Sequence, residues 1–390
     1  MPSQEQIDAL EIEFRAVQDH ITSFLSAFSG QVFEETNWDY DKGKGGGRTR
    51  VLEVDRRRYT TDRKGQSEPW HLKQEKTPRS FFEKGACNFS GIHGSNMPKS
   101  AVSALNIPEN TPYRATGVSL IFHPSNPYVP TIHLNVRFFA CGEKWWFGGG
   151  VDVTPTYPML DQAIAFHRDL KQLCDAHDVP YAEWKKWCDE YFYIPHRNET
   201  RGIGGIFYDH FQGKSFEHAR SFTMALGRTF NDLYSIFLPN GNITFTFAQR
   251  EFQLYRRGRY VEFNLCYDRG TKFGLASNGR AESILVSLPS TVHWAYMYEP
   301  PAGSREHYLY RFFLQPQDWL ALTPDQKKDM QPPKDFVNKR KGSLVTMPHH
   351  TCLFAMVKCP VVLAPVAFGL GALAAVGALC WRRNGALPFN

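Results

Sequence analysis

The sequence predicts an α+β protein with a mainly antiparallel sheet. Segments rich in aromatic and β-branched residues, which are typical of strands, arrive in runs that are separate from the helical segments. The chain has 390 residues, of which 42% are hydrophobic and 22% charged, so it is globular and long enough to bury a large core. Aromatic residues make up 14% of the chain, which suits broad packed sheets or a large flat apolar ligand.

Four helices are predicted. In the first, apolar residues recur at intervals of three and four from Ile7 to Phe28, which is the pattern of an amphipathic helix. The other three are expected at residues 158–177, 182–193 and 216–237. Residues 41–48, DKGKGGGR, contain glycines that disfavour a helix and predict a loop.

Strands are predicted at residues 116–122, 131–139, 243–247, 252–255 and 260–267. The last two of these flank the short run Arg256-Arg257-Gly258-Arg259, so the sequence predicts that they form an antiparallel hairpin.

The carboxyl-terminal region differs from the rest of the chain. Residues 359–381 carry no charge and are bounded by basic residues, and a run of about 20 apolar residues is enough to span a bilayer. The fold class therefore includes a transmembrane-like helix at this end, with a buried terminal helix as the alternative. The expected organisation is a catalytic domain, a basic, Pro-containing linker, a tail anchor and a short basic tail, at residues 1–340, 341–358, 359–381 and 382–390.

Charge and cysteine content limit the classes of function and location. The net charge of +6 is too weak for a typical nucleic-acid binder, and the eight cysteines include no C-x-x-C pair. The amino terminus shows no cleaved signal. We expect an intracellular protein with a cytoplasmic catalytic domain tethered to a membrane by its tail, and an association with mitochondria is left open.

The strand at residues 131–139 alternates polar and apolar residues. Because side chains two residues apart share a face, His133, Asn135 and Arg137 project together, while Val136 and its apolar neighbours point to the other side. A solvated sheet face is the alternative explanation.

The preceding strand favours a functional surface over a solvated face. Its residues Ser119 and His123 also share a face, and the loop between the two strands is short enough to bring them side by side. Together these polar groups predict a surface for anion binding and proton transfer. Downstream, Gly148-Gly149-Gly150 leads to the carboxylate of Asp152, which suits either close approach of a ligand or a bulge.

Four histidines could together ligate a divalent ion: His123, His133, His167 and His196. Their spacing is unlike a compact zinc motif, and His167 lies on the inward stripe of its helix, so a core histidine is the default reading there. A metal-dependent hydrolase that uses these four histidines remains as an alternative function.

Four motifs carry a family resemblance. They are KKWCDEYFYIPHRNETRGIGGIFYD at residues 185–209, GVSLIFHPSNPYVPTIHLNVRFF, WWFGGGVDVTP and YVEFNLCYDRGTKFGL. This sequence resembles the oxygen-dependent coproporphyrinogen III oxidases over residues 45–319. A noncatalytic membrane-tethered tetrapyrrole-binding protein remains as an alternative function.

The resemblance implies a reaction and a fold. The expected reaction is the oxidative decarboxylation of two propionates of coproporphyrinogen III to vinyl groups, which gives protoporphyrinogen IX in heme biosynthesis. O2 is the oxidant and no further cofactor is required, although a divalent metal stays an open alternative. The expected fold is a large flat antiparallel sheet flanked by helices on both faces, in a homodimer formed through residues 260–296.

The resemblance also implies roles for individual residues. The proton donor falls on His133 and the catalytic carboxylate on Asp152, with Arg137 as a further catalytic residue. The substrate-binding positions fall on Ser119, Asn135, Val136, Arg137, Asn278, Gly279 and Arg280. Two departures are that Tyr208 replaces a Phe of the signature and Asn278 replaces a Gly.

Overall fold

A computed structural model describes residues 2–40, 44–53, 80–95, 107–276 and 280–332. These residues belong to a compact unit, Met1–Lys339. The predicted linker and tail at residues 341–390, and the basic stretch at residues 56–79, lie outside the described residues. The division of the chain into a catalytic domain and a tail therefore stays a prediction.

The central element of the described fold is a seven-stranded antiparallel sheet with the strand order β1-β2-β3-β4-β5-β6-β9. Its strands are β1 (Glu34–Asp39), β2 (Lys44–Glu53), β3 (Phe82–Gly94), β4 (Tyr113–Pro124), β5 (Thr131–Cys141), β6 (Lys144–Thr154) and β9 (Gly204–Phe211). A separate two-stranded hairpin joins β7 (Tyr193–Ile194) to β8 (Glu199–Thr200). Strands that follow one another in the chain pair from β1 to β6, so the sheet is a meander that β9 extends.

The helices of the described residues are α1 (Gln4–Ser29), α2 (Leu160–Ala176), α3 (Tyr181–Tyr191), α4 (Phe216–Ser235), α5 (Phe247–Cys266), α6 (Arg269–Ala276), α7 (Ala281–Leu285), α8 (Arg305–Tyr308) and α9 (Pro324–Asp329). Helix α1 begins with a capping box between Ser3 and Gln6 and ends at Gly30, whose positive φ closes the last turn.

The two faces of the sheet have different chemistry. One face carries apolar side chains such as Leu120, Leu134 and Phe138, which are buried in the main core together with residues of α1 and α4. The other face is polar and contacts the α5–α7 region, since Asn88 and His123 hydrogen-bond to the carbonyls of Ser283 and Ser287. The sheet is therefore flanked by helices on both faces, and the predicted α+β class and antiparallel sheet are confirmed.

The predicted hairpin at residues 252–267 is wrong, because α5 runs through this segment without a break. A capping box between Thr246 and Gln249 starts the helix. The arginines that were expected in the short hairpin connection are buried and paired with carboxylates: Arg256 donates to Glu199 over 2.8 Å. Aromatic content misled the prediction, since Phe and Tyr favour strands by propensity but lie here on a buried helix.

Two other local predictions are also corrected. Residues 243–247 do not form a strand, because they lead from a short 3-10 helix into α5. Residues 44–48 of the predicted glycine loop belong to β2. A Cβ at Gly47 would lie 2.1 Å from the indole of Trp38, so glycine here lets the tryptophan of β1 lie across the neighbouring strand.

The transmembrane-like helix in the predicted fold class is corrected as well. In the part of the chain that the structure describes, no helix is both long and apolar enough to cross a bilayer. The segment at residues 359–381 itself lies outside that part. A charge-free run rich in Ala and Gly was weak support for a membrane span, because favourable insertion depends mainly on Leu, Ile, Phe and Val.

Helices α1 and α4 approach closely at Gly227, and this contact generates a prediction. A Cβ at Gly227 would lie 2.8 Å from Cγ1 of Val17. Although Ala favours a helix over Gly by about 1 kcal/mol, we expect Gly227→Ala to lower the free energy of unfolding by about 1–3 kcal/mol because the contact becomes overpacked. Denaturant unfolding measures this change.

The control is a double-mutant cycle with Val17→Ala, which removes the γ-methyl groups that would clash. The double variant should be more stable than the sum of the single effects predicts. Strict additivity would show that the close approach does not limit the packing of these helices.

Candidate active site

The polar face of the sheet brings most of the predicted site residues together. Ser119 of β4 lies opposite Asn135 of β5, and His133 of β5 lies opposite Asp152 of β6. Arg137 lies opposite Gly148, so its side chain faces a strand position that has no side chain of its own.

A cleft of about 250 Å³ lies between this polar face and the α5–α7 region. Its wall on the sheet side includes Asn88, Ser119 and His133. The helical side contributes Tyr260, Asn264, Asp268, Thr271, Ile284 and Ser287. Arg201, which follows the β7–β8 hairpin, also lines the cleft. The cleft is thus bordered by groups that can accept, donate or carry protons.

A buried ion pair lies at one end of the cleft. Arg201 donates to both carboxylate oxygens of Asp152, from Nη2 to Oδ1 over 2.6 Å and from Nε to Oδ2 over 3.0 Å, and both side chains are 2% exposed. Nδ1 of His133 lies 3.1 Å from Oδ1 of the same carboxylate. Asp152 therefore holds both the buried cation and the imidazole in place.

Electrostatics keep this carboxylate ionised. Burial by itself would raise the pKa of Asp152, but the guanidinium of Arg201 and the ring of His133 outweigh it and hold that pKa below its usual range. Arg201 is also packed among aromatic rings, with its Cζ 3.9 Å from the ring centre of Phe192 and 4.8 Å from that of Phe263. Such cation–π contacts partly replace the water that the guanidinium loses on burial.

Sequence reasoning did not single out Arg201 as a site residue. Its position is set by the hairpin: His196 and Arg197 in the turn bind Glu262 of α5, and Asn198 takes a positive φ that turns the chain into β8. The indication in the sequence was the charged run that ends at Arg201. The residues of that run do not show that the side chain of Arg201 contacts β6.

Arg137 lies beside the cleft on the polar face. Its Nη1 donates to Oδ1 of Asn135 over 2.7 Å, and its Nη2 pairs with Asp209 of β9 over 3.1 Å. The side chain is 34% exposed, so one side of the guanidinium is open to an incoming anion. A Cβ at Gly148 would lie 2.9 Å from Nη2 of Arg137, which explains why a glycine faces it.

The remaining predicted substrate-binding positions are not all brought together. The side chain of Val136 is fully buried on the opposite face, so only its backbone could meet a ligand on the polar side. Arg280 is exposed and immediately precedes α7. Asn278 and Gly279 lie outside the described residues.

The four histidines considered as metal ligands have separate partners. His167 contacts the hydroxyl of Tyr181 and the carbonyl of Ile203, and His196 contacts Tyr267 and Glu262. Across the described ranges, no group of three or more His, Cys, Asp or Glu side chains is placed to hold a metal ion. The histidine set thus does not fit the metal-dependent hydrolase that the sequence left open.

Two of these histidines should make stability depend on pH. Burial and the charge of Arg257 lower the pKa of His123 to about 3, and burial and the charge of Lys185 lower that of His167 to about 3. The unfolded chain protonates them near pH 6.5. Stability from each should therefore be complete above pH 6.5 and decline towards pH 3, by up to about 1.4 kcal/mol per pH unit.

Unfolding of His167→Gln by denaturant at pH 7.0 and at pH 5.5, in parallel with the parent, would test this expectation. The loss of stability between the two pH values should be smaller in the variant by about 1 kcal/mol, because its unfolded chain has one group fewer that takes up a proton near pH 6.5. Exposed His210 provides the control, since His210→Gln should keep the parent's difference. An unchanged difference in His167→Gln would contradict the expectation.

Comparison with known proteins agrees with the motifs in the sequence. Residues 9–319 match the family model of coproporphyrinogen III oxidase. A protein of Dictyostelium discoideum named oxygen-dependent coproporphyrinogen-III oxidase is 46% identical over 339 residues, which cover 84% of this chain and 98% of that protein. A protein of the same name from Synechococcus is 42% identical over 349 residues, covering 82% of this chain and 90% of that protein. The resemblance is confirmed, and the chain belongs to the coproporphyrinogen III oxidase family.

Proposed function

We propose that the cleft on the polar face is where this chain carries out its family's reaction, the oxygen-dependent oxidative decarboxylation of coproporphyrinogen III in heme biosynthesis. The observation that carries the proposal is the convergence of His133, Asp152 and Arg201 at one cleft, with Ser119, Asn135 and Arg137 on the same sheet face. No redox-active side chain is needed in this scheme, because the electron-rich porphyrinogen supplies the electrons and O2 accepts them.

Binding of coproporphyrinogen III is proposed to depend on the carboxylates of its propionate side chains. An arginine guanidinium can hold a carboxylate with two parallel hydrogen bonds. Asn135 and Asp209 already fix the guanidinium of Arg137, so little side-chain entropy is lost when a propionate binds its open side. Exposed Arg280, next to Asn278 and Gly279 in the sequence, is proposed as a second carboxylate contact.

His133 is proposed to transfer protons, and Asp152 to orient it. When Nδ1–H of the imidazole donates to Asp152, the tautomer is fixed and Nε2 is left for the substrate. Because Arg201 occupies both oxygens of Asp152, the carboxylate acts at the substrate mainly through its charge and through His133. Ser119 lines the same cleft and can hydrogen-bond a substrate group.

A homodimer is proposed on the basis of an exposed apolar surface. In the described residues from Leu265 to Met297, five apolar side chains are unusually exposed for their size: Leu265, Leu275, Trp294, Tyr296 and Met297. Exposed apolar clusters mark protein interfaces, and this stretch overlaps the dimer region that the resemblance implied. Sedimentation of the protein should show a dimer, and Tyr296→Asp should shift it towards a monomer.

The proposal also covers domain organisation and location. A catalytic domain at residues 1–340 agrees with the family match at residues 9–319. The five cysteines among the described residues are free, and all but Cys266 are buried, which supports a reducing intracellular compartment.

Turnover tests the proposed function directly. Purified protein should convert coproporphyrinogen III in air, releasing one CO2 and one H2O2 for each propionate that is lost, and should stop when O2 is removed. Product analysis by chromatography and a peroxide assay measure this. Equal turnover without O2, or tight binding of the tetrapyrrole without any conversion, would contradict the proposal and favour a binding protein.

The proposed roles of Arg137 and Asp152 predict different kinetic defects. Arg137→Ala should raise the KM for coproporphyrinogen by roughly 10- to 100-fold, since a charged hydrogen bond contributes about 1.5–3 kcal/mol to binding. Asp152→Asn should leave KM nearly unchanged and lower kcat by roughly 10²- to 10⁴-fold, because His133 loses its orienting charge.

Steady-state kinetics separate these outcomes, and Arg168→Ala, on the exposed side of α2, is the matched arginine control. Because Asp152→Asn also leaves Arg201 buried without its ion pair, thermal unfolding of each variant must accompany the kinetics. A folded Asp152→Asn with the parent's kcat would remove Asp152 from the mechanism.

A further inference from the structure

Tyr260 is a buried phenol in the cleft that has no role in the mechanism so far. It lies on α5, is 3% exposed and lines the cleft beside Arg201 and Ser287. The sequence pattern predicted a strand for this segment. Only the structure shows that Tyr260 lies on a helix and faces the sheet.

The surroundings of Tyr260 keep the phenol protonated and make it able to donate. Burial raises its pKa, although the charge of Arg201 acts in the opposite direction. The Cζ of Arg201 lies 5.2 Å from the centre of the phenol ring, and the ring of His123 meets it edge-on at 5.3 Å. A cation at that distance stabilises the negative charge that a phenol acquires when it gives up its proton.

The proton balance of the reaction requires such a donor. For each ionised propionate, R–CH2–CH2–COO⁻ + O2 + H⁺ gives R–CH=CH2 + CO2 + H2O2. The C–H bond on the carbon next to the ring and the C–C bond to the carboxylate break, and the two electrons released reduce O2. One hydrogen of the peroxide is balanced by the hydrogen lost from the substrate's C–H bond, and the second is the H⁺ in this equation, since CO2 leaves without a proton.

His133 and Tyr260 lie on opposite walls of the cleft, one on the sheet and the other on α5. Two different groups are therefore available for two proton events, one at the substrate and one at the reduced oxygen. We propose that Tyr260 is a catalytic residue that donates the proton to the reduced oxygen species, while His133 acts at the tetrapyrrole. This inference rests on the proposed function.

After donation, the phenolate is held beside Arg201 and is reprotonated from the cleft, where Ser287 provides the adjoining hydroxyl. The role needs the hydroxyl of Tyr260 and not its ring. Tyr260→Phe removes only that oxygen and keeps the packing against His123 and Arg201, so it is the variant to make.

The test asks which product of O2 reduction is released by Tyr260→Phe and by the parent. We expect kcat to fall by roughly 10²-fold and the KM for coproporphyrinogen to stay within about twofold. Part of the O2 should leave after accepting one electron, as superoxide detected by reduction of cytochrome c, with the second electron left on the tetrapyrrole as a radical. Tyr234→Phe is the matched control, because Tyr234 is also fully buried with one hydrogen bond but lies in the main core. It should keep the parent's kcat and peroxide yield.

A second measurement covers the case in which Tyr260→Phe folds poorly. Replacing Tyr260 by a fluorotyrosine keeps the hydroxyl and makes it more acidic, so kcat at a fixed pH should differ from that of the parent while the KM for coproporphyrinogen stays within about twofold. If Tyr260→Phe retains kcat and releases only H2O2, or if the fluorinated protein keeps the parent's kcat, the inference is overturned. Failure of the parent itself to turn over would instead count against the proposed function.

Discussion

The buried ion pair between Arg201 and Asp152 is the interaction on which the site depends. It connects a hairpin outside the main sheet to β6, the strand next to the edge strand β9, and it fixes the imidazole of His133 through the shared carboxylate. A buried pair of this kind costs desolvation on both sides and is retained only if its geometry is good. Here the two parallel hydrogen bonds and the aromatic rings around the guanidinium meet that condition.

The asymmetry of the sheet makes room for this pair. One face is apolar and is covered by α1 and α4, so the strands are held rigidly from that side. The other face can then carry polar groups without loss of stability, because α5–α7 cover it only partly and leave the cleft. Gly148 leaves space for the guanidinium of Arg137, because a side chain at this position would displace it.

Helix α5 links the packing of the protein to its chemistry. Its buried arginines bind carboxylates on distant elements: Arg256 pairs with Glu199 of the hairpin, and Arg257 pairs with Glu83 of β3. Glu262 of the same helix accepts from His196 and Arg197 in the hairpin turn. The helix thus positions both the hairpin that carries Arg201 and its own Tyr260, so substitutions far from the cleft along α5 can still alter the site.

The sequence by itself determined the class, the two strands β4 and β5 and the shared face of His133, Asn135 and Arg137, because a strand's alternation is local and has a period of two residues. It also determined the family, because the motifs that carry the resemblance are continuous stretches of sequence. Only the tertiary structure decided that Arg201 binds Asp152, that Tyr260 faces the cleft and that residues 247–266 form a helix. These features depend on contacts between residues far apart in the chain, and a buried arginine cannot be told from an exposed one until its carboxylate partner is known.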